Sequence, residues 1–263
     1  MGGTVIGSLR PPGEALFLDR YPEFARRPMA GGGVRYVGYF ERTLTADDLP
    51  ALPDAFHLAI EVSPEHPRVV PRAFETAGRI PTSYHKLVGN AFCLSSRLRL
   101  AIAVHRTPDL CAFFERLVVP YLYRYAHLEK FGTEPWPDLP HHEAGLLKDY
   151  ITLFGAPSPE HAIAFLERLG ERRRVANKRP CPCGGGRRVG RCHHLQFEKL
   201  RRVRPRGWYR AEARALRVYL RQATRKSGHM KRAESALVTT PRARRTGLIP
   251  GARWRSGGRA RVA

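Results

Sequence analysis

Hydrophobic and polar positions follow one pattern in the first part of the chain and another in the rest. Residues 34–40 are rich in β-branched and aromatic side chains, which is typical of a strand. A turn-like, proline-bearing stretch at 47–54 leads to a second predicted strand at 56–62, and a third is predicted near 72–76. These spacings are too short for crossover helices, so the pattern predicts an antiparallel meander.

Helical periodicity follows the predicted strands. The sequence Thr-Pro-Asp at 107–109 is a helix start signal, with Thr107 as the cap and Pro108 in the first turn. Apolar residues then recur at helical spacing over 110–125, and Pro120 is expected to kink or split this helix. Further helices are predicted at 144–154, from Ser158 onward and around 211–221.

Together these patterns predict an α+β fold in four parts. Residues 1–33 form an N-terminal segment rich in proline and glycine, with a short helix around 14–24. A domain with an antiparallel meander and flanking helices occupies 34–170, and a small basic module follows at 171–224. From 225 to 263, Ser, Gly, Arg and Thr dominate without a structural period, which predicts a disordered tail.

The net charge of +23 is unevenly distributed along the 263 residues. Residues 1–170 hold 18 basic and 19 acidic side chains, whereas residues 171–263 hold 28 basic and only 4 acidic ones. The basic region is interpreted either as a solvated, self-repelling segment that keeps the protein soluble or as a surface for nucleic acid phosphates. Charge alone does not separate the two interpretations.

Composition narrows the class of protein. An apolar content of 43% is sufficient for a packed core, and no apolar stretch reaches the length of a membrane span. Pro11, Pro12 and Glu14 interrupt any signal-peptide pattern, so we expect a cytoplasmic protein without membrane contact. In that compartment the five cysteines, three of them clustered around glycines, indicate metal ligands rather than disulfides.

The cysteine cluster has the composition of a structural zinc site. Three thiols and an imidazole supply the four ligands that zinc prefers, and those residues are Cys181, Cys183, Cys192 and His193. Glycines at 184–186 allow the chain to fold back between the two halves of the site. His194 is an alternative fourth ligand. A closed shell of four protein ligands leaves no position for catalytic water.

The same segment resembles the SEC-C motif, the zinc-binding element at the C-terminus of the SecA translocase. The residues that match its spacing are Cys181, Pro182, Cys183, Gly184, Gly186, Cys192 and His193. Motifs of this kind are associated with binding of proteins or nucleic acid. Here basic and aromatic residues around the motif predict a phosphate-binding surface. They are Arg187, Arg188, Arg191, Lys199, Arg201, Arg202, Arg204, Arg206, Trp208 and Tyr209.

A second resemblance covers residues 34–130. After two strands the chain has His66-Pro67 and Pro71, then His85 at the start of a loop. The loop ends in a Gly-x-x-Cys-Leu pattern formed by Gly89, Phe92, Cys93 and Leu94. In this order the motifs resemble the ubiquitin-conjugating-enzyme-like (UBC-like) fold of bacterial type. That family has an antiparallel meander, proline motifs, an active-site loop that starts with histidine, and helices.

The second resemblance implies acyl-transfer chemistry at Cys93. In the family a cysteine carries a ubiquitin-like protein as a thioester, which an activating enzyme supplies, and His85 matches the histidine of the active-site loop. Lys86 and Leu87 stand where the family has proline and the oxyanion-supporting asparagine, and Asn90 lies nearby. The implied partners are a ubiquitin-like protein and its activating enzyme.

Two alternatives remain open from the residues themselves. A cysteine beside Phe92 and Leu94 is often a small buried apolar residue, as we expect for Cys111 on the apolar face of its helix. If Cys93 is buried in the same way, the chain is better interpreted as a non-catalytic adaptor. Such an adaptor would bind nucleic acid or a protein partner through residues 171–263. Exposure of the Cys93 side chain distinguishes the two hypotheses.

Overall fold

An antiparallel sheet of four consecutive strands forms one half of the fold. The structure, a computed structural model, describes residues 9–46, 48–136 and 142–238, except for the side chains of residues 142 and 226–238. The strands pair in the order β1-β2-β3-β4 and are β1 (Phe24–Pro28), β2 (Val34–Leu44), β3 (Leu52–Val62) and β4 (Arg72–Glu75). The predicted meander is confirmed, and β2 and β3 extend beyond their predicted bounds.

The N-terminal segment contributes one helix and one strand to this layer. Helix α1 (Glu14–Arg20) lies within the helix predicted at 14–24, but the chain then turns and enters β1, which was not predicted. The buried Glu14 carboxylate accepts hydrogen bonds from Arg26 Nε at 2.8 Å and from the Tyr36 hydroxyl at 2.6 Å. These bonds tie α1 to β1 and β2.

The helices after the sheet begin earlier than the pattern indicates. Helix α2 (Arg97–Arg106) was not predicted, and its N-cap is Ser96. The next helix, α3 (Leu110–Phe113), is capped by Asp109 and not by Thr107, because the Asp109 carboxylate accepts the backbone N–H of Ala112 at 2.7 Å.

The helix predicted over 110–125 is divided as expected from Pro120. A π-helical turn at Phe114–Val118 separates α3 from α4 (Val119–Phe131), with Pro120 in the first turn of α4. Proline has no N–H to donate to the carbonyl one turn earlier, so the regular ladder is interrupted there.

The C-terminal half is helical, and the helices predicted there are confirmed. It comprises α5 (His142–Phe154), α6 (Pro159–Gly170), α7 (Arg173–Ala176), a 3-10 turn at Val189–Arg191, α8 (His194–Val203) and α9 (Arg206–Val238). Ser158 caps α6 by accepting the His161 backbone N–H at 3.4 Å. Among the helices of the described residues, none is both long and apolar enough to cross a membrane.

Helix α9 corrects part of the predicted tail. Disorder is predicted from residue 225, but α9 continues to Val238, and residues 239–263 lie outside the described residues. Residues 225–238 include Ala, Arg, Lys, Met, Leu and Glu, which favour helix without an apolar period. One compact unit of the structure ends at Leu220 and a second begins at Arg221.

Buried apolar residues fall into two clusters. The first is formed by the sheet with α1, α3 and α4, and the second by α5, α6, the cysteine segment, α8 and α9. Helix α2 contributes Val104 to the first cluster and Leu98 to the second. Helices α5 and α6, which the sequence groups with the sheet, therefore share a core with the cysteine segment.

Candidate metal centre and candidate thiol site

The four predicted metal ligands lie together. One ligand atom from each of Cys181, Cys183, Cys192 and His193 falls within 4.8 Å of all the others. Cys181 Sγ is 3.1 Å from His193 Nδ1, and the Sγ atoms of Cys183 and Cys192 are 3.6 Å apart. His194 is not part of this group; its Nδ1 is buried without a hydrogen-bond partner in the described structure.

Backbone hydrogen bonds build this cluster from a short antiparallel turn. Pro180 and Arg188 form an isolated bridge, and the Cys181 backbone N–H donates to the Arg187 carbonyl at 2.8 Å. Gly184 and Gly186 have φ angles of +79° and +71°, which side chains with a Cβ adopt at a cost. The glycine run is therefore what lets the two halves of the site meet.

The distances and donor types fit a tetrahedral ion. With metal–sulfur bonds of about 2.3 Å, a tetrahedron has sulfur–sulfur edges of about 3.8 Å, close to the 3.6 Å between Cys183 and Cys192. Burial raises the pKa of Cys181 to about 12, whereas a hydrogen bond from the Gly185 backbone lowers the pKa of Cys183. A cation among the sulfurs would supply the charge that favours thiolates here.

Exposed cations surround the cluster. Within the part of the chain that the structure describes, none of them forms an ion pair with an acidic side chain. They are Lys178, Arg179, Arg187, Arg188 and Arg191, and we refer to them as the knuckle cations.

Three further residues of the predicted phosphate surface, Tyr209, Arg201 and Arg204, lie against other parts of the protein. Tyr209 is fully buried and donates to the Leu200 carbonyl at 2.5 Å, because α9 packs this face into the second core cluster. Arg201 pairs with Glu198 at 3.2 Å, and the Arg204 guanidinium lies 5.9 Å from the Trp208 ring. These side chains therefore have contacts within the protein.

The two cysteines of the first half differ in exposure. Cys93 is exposed, whereas Cys111 is 1% exposed, as predicted, and burial with the neighbouring Glu115 carboxylate raises the pKa of Cys111 to about 11. If the Cys93 side chain were buried, it would not be a candidate nucleophile. The structure presents its thiol to solvent instead.

A small hairpin places His85 opposite Cys93. Lys86 and Phe92 form an antiparallel bridge, and the Cys93 backbone N–H donates to the His85 carbonyl at 2.7 Å. The Phe92 N–H donates to the Ala73 carbonyl at 2.8 Å, which fixes the hairpin to β4. His85 has a φ of +36°, a strained conformation of the kind that clusters at functional sites. Asn90, at φ +64°, lies in the turn of the hairpin.

Three further residues, which sequence reasoning missed, lie near the hairpin of His85 and Cys93 among the described residues. The Tyr121 ring stacks on Phe92, the neighbour of Cys93 in the chain, with ring centroids 4.2 Å apart, and burial followed by the nearby Tyr84 and Cys93 raises the pKa of Tyr121. One turn along α4, Arg124 Nε contacts Glu134 Oε2, and Glu134 Oε1 is 3.7 Å from His85 Nε2. Neither spacing nor motif marks Glu134, since it follows α4 in a loop.

Comparisons with known proteins do not assign this chain to a family. No family model, curated protein or solved structure matches this chain. The resemblances to the SEC-C motif and to the UBC-like fold therefore remain predictions carried by the residues and by the geometry above.

Proposed function

We propose that this chain is a ubiquitin-conjugating-like protein of bacterial type that carries a ubiquitin-like protein as a thioester on Cys93. The observation that carries the proposal is the exposed Cys93 thiol, directly opposite His85 in a hairpin fixed to the last strand of a four-stranded meander. The order of antiparallel meander, cysteine loop and helices is also the order expected of a UBC-like fold.

The proposed chemistry has two balanced steps. The Cys93 thiolate attacks the thioester carbonyl of the modifier on its activating enzyme, forming a new carbon–sulfur bond while the enzyme's thiolate leaves. An amine of the acceptor then attacks the Cys93 thioester. An amide forms, the carbon–sulfur bond breaks, and the amine proton ends on the Cys93 sulfur.

We further propose that the cysteine cluster holds a structural zinc ion. Three sulfurs and one imidazole nitrogen are the donor set that zinc prefers, and all four positions of the shell are taken by protein. The resemblance to the SEC-C motif supports an accessory role, which is to fold a module that contacts a partner.

Loading of Cys93 is the direct test. The protein is incubated with ATP, a bacterial ubiquitin-like protein and the activating enzyme of that protein, and intact mass is measured. We expect an adduct equal to the modifier minus one water, which a thiol reductant removes. Cys93→Ala abolishes it, whereas Cys93→Ser gives an ester that resists the reductant. The control Cys111→Ser loads normally, and an adduct that persists in Cys93→Ala would contradict the proposal.

The knuckle cations favour a second candidate function. An adaptor that binds nucleic acid needs cations that are exposed and not neutralised by the protein itself. Arg188 and Arg191 meet both conditions, whereas Arg187 is exposed but also lies 3.9 Å from Cys192 Sγ, and all three belong to the short turn held by the cysteine cluster. This candidate does not require Cys93, so the loading test and a binding test separate the two functions.

A further inference from the structure

We propose that Cys183 and Cys192 form an oxidation site, at which a peroxide joins the two sulfurs in a disulfide and the zinc ion is released. The inference rests on the proposed structural zinc and adds a reaction of its ligands. Oxidation of a cysteine depends on its thiolate character and its exposure, whereas zinc itself has no redox chemistry. The chemical state of the sulfurs therefore decides whether the ion is held.

Exposure separates this pair from the third cysteine of the cluster. Cys181 is 5% exposed and its Sγ lies 3.1 Å from His193 Nδ1, whereas Cys183 and Cys192 are half-buried. Gly185 is exposed, and a Cβ built on it would lie 3.5 Å from Cys183 Sγ, so the missing side chain leaves a path from solvent to that sulfur. A small oxidant such as hydrogen peroxide thus reaches the pair before it reaches Cys181.

The two sulfurs are already in contact. Cys183 Sγ and Cys192 Sγ are 3.6 Å apart, close to the van der Waals contact distance of two sulfur atoms. The bridge between Pro180 and Arg188 and the 3-10 turn at Val189–Arg191 keep the two cysteines side by side. A redox-sensitive cysteine needs a second cysteine next to it to resolve the oxidised form, and each member of this pair has one in place.

Arg187 places a cation at the exposed side of the pair. Its Nη2 lies 3.9 Å from Cys192 Sγ, and its side chain is exposed. When a sulfur takes one oxygen of the peroxide, the departing oxygen becomes negatively charged. A guanidinium beside that sulfur stabilises the developing charge, so we expect Arg187 to speed the oxidation.

The oxidation balances in two steps. The thiolate of one cysteine attacks a peroxide oxygen, so that a sulfur–oxygen bond forms, the oxygen–oxygen bond breaks and hydroxide leaves. The second thiolate attacks the resulting sulfenic acid, so that the sulfur–sulfur bond forms, the sulfur–oxygen bond breaks and a second hydroxide leaves. Two protons from solvent convert the hydroxides to water, and the two electrons lost by the sulfurs are gained by the peroxide. The cluster then lacks two of its four donors and releases the ion unchanged.

Release of the ion affects the surroundings of the cluster. Helix α8 begins at His194, directly after the ligand His193, whose ring meets the Phe165 ring of α6. The knuckle cations belong to the turn that the cluster holds together. Oxidation therefore loosens the start of α8 and the arrangement of the knuckle cations, which makes partner binding through this module sensitive to peroxide.

Zinc release and peptide mapping test the site on the full chain. Reduced, zinc-loaded protein is treated with hydrogen peroxide, released zinc is followed with a chromogenic chelator, and remaining thiols are alkylated under denaturing conditions before digestion. Trypsin cleaves after Arg187 and Arg191, so Cys183 and Cys192 fall in separate peptides unless a disulfide joins them. We expect zinc release in step with joined peptides in which Cys181 is alkylated. A thiol reductant with added zinc should restore both the thiols and the bound metal.

Two arginine variants test the local chemistry. Arg187→Gln should slow zinc release by roughly two- to fivefold, the size expected for an interaction with an exposed charge. Arg174→Gln removes an exposed arginine of α7 in the same half and is the matched control, with no change expected. Zinc that stays bound, a disulfide that includes Cys181, or oxidation that the reductant does not reverse would overturn the proposal. If the reduced protein takes up no zinc, the metal proposal alone fails, because the peptides still report whether the pair is oxidised.

Discussion

At the scale of single residues, Gly38 shows how closely two strands approach. It lies in β2 opposite Phe24 of β1, and a Cβ built on Gly38 would be 2.6 Å from the Glu23 carbonyl oxygen and 2.7 Å from Phe24 Cα. Backbone atoms cannot move aside as a flexible side-chain end can. Any larger residue at this position therefore pushes β1 away from the sheet.

We expect Gly38→Ala to lower the free energy of unfolding by about 2 kcal/mol or more, because a methyl group is forced against backbone. Denaturant unfolding followed by circular dichroism measures the change. Gly207→Ala is the matched control, since Gly207 has no atom within 4 Å of its built Cβ and lies in the first turn of α9. That control should be neutral or stabilising by up to about 1 kcal/mol. A Gly38→Ala protein as stable as the control would refute the steric argument.

Residue-level prediction succeeded where the chemistry is local in sequence. The four cysteine-cluster residues lie within one short segment, so spacing alone identified them. Glu134 lies 49 positions after His85 in the chain, and no local pattern predicts their contact. Glycine inside a strand marks a close backbone approach, so Gly38 could have been used to predict the neighbouring strand β1.

At the scale of elements, the cysteine cluster joins the turn after α7 to the start of α8. Cys181 is buried, Val189 packs in the second core cluster, and the Phe165 ring of α6 meets the His193 ring edge-on with centroids 5.6 Å apart. The bound ion would thus support α6 and α8 together.

Metal removal should loosen these elements selectively. We expect a strong chelator to release one zinc per chain and to speed amide hydrogen exchange in α8 and over residues 177–192, while β2 and β3 stay protected. Metal ligation contributes about 10 kcal/mol or more in zinc-finger peptides, so the local effect should be large. Cys192→Ser should lose the metal, and Cys111→Ser should retain it. Unchanged exchange after metal release would show that the cluster does not depend on an ion.

Element prediction failed where one helix faces two cores. In α2 the apolar residues Leu98, Leu100, Ile102 and Val104 alternate with polar or small ones, a spacing that imitates a strand. The reason is that Leu98 and Ile102 pack in the second cluster, while Leu100 and Val104 pack in the first. By contrast, α5 and α6 present one apolar face each, and the bounds of α5 and the start of α6 were predicted closely.

At the scale of the whole molecule, the separation of charge is the dominant feature. The near-neutral first 170 residues contain the exposed thiol, and the knuckle cations belong to the strongly basic remainder. The sequence predicted this asymmetry directly, because charge is additive along the chain. It could not predict which helices share a core, since that depends on contacts distant in sequence.

Salt dependence tests the nucleic acid candidate. Binding of a short DNA duplex of arbitrary sequence is measured by fluorescence anisotropy over a series of salt concentrations. We expect Arg187→Gln, Arg188→Gln and Arg191→Gln combined to lower the log–log salt slope by up to about 3, roughly one per lost phosphate contact. Arg27→Gln, Arg106→Gln and Arg116→Gln combined remove equal charge from exposed positions elsewhere and should change it little. Equal effects of the two triple variants would mean that only net charge matters.

The first turn of α2 joins the two halves of this protein through ion pairs and hydrogen bonds, so neither half is expected to persist in evolution without the other. Asp149 of α5 accepts from Ser96 at 2.5 Å and pairs with Arg99, while the buried Glu212 of α9 pairs with Arg97 at 3.2 Å. A gene fusion that carried the sheet half alone would leave those arginines without carboxylates and turn Leu98 toward water. The metal-bearing half is thus an integral part of the architecture, and recombination is expected to move both halves together.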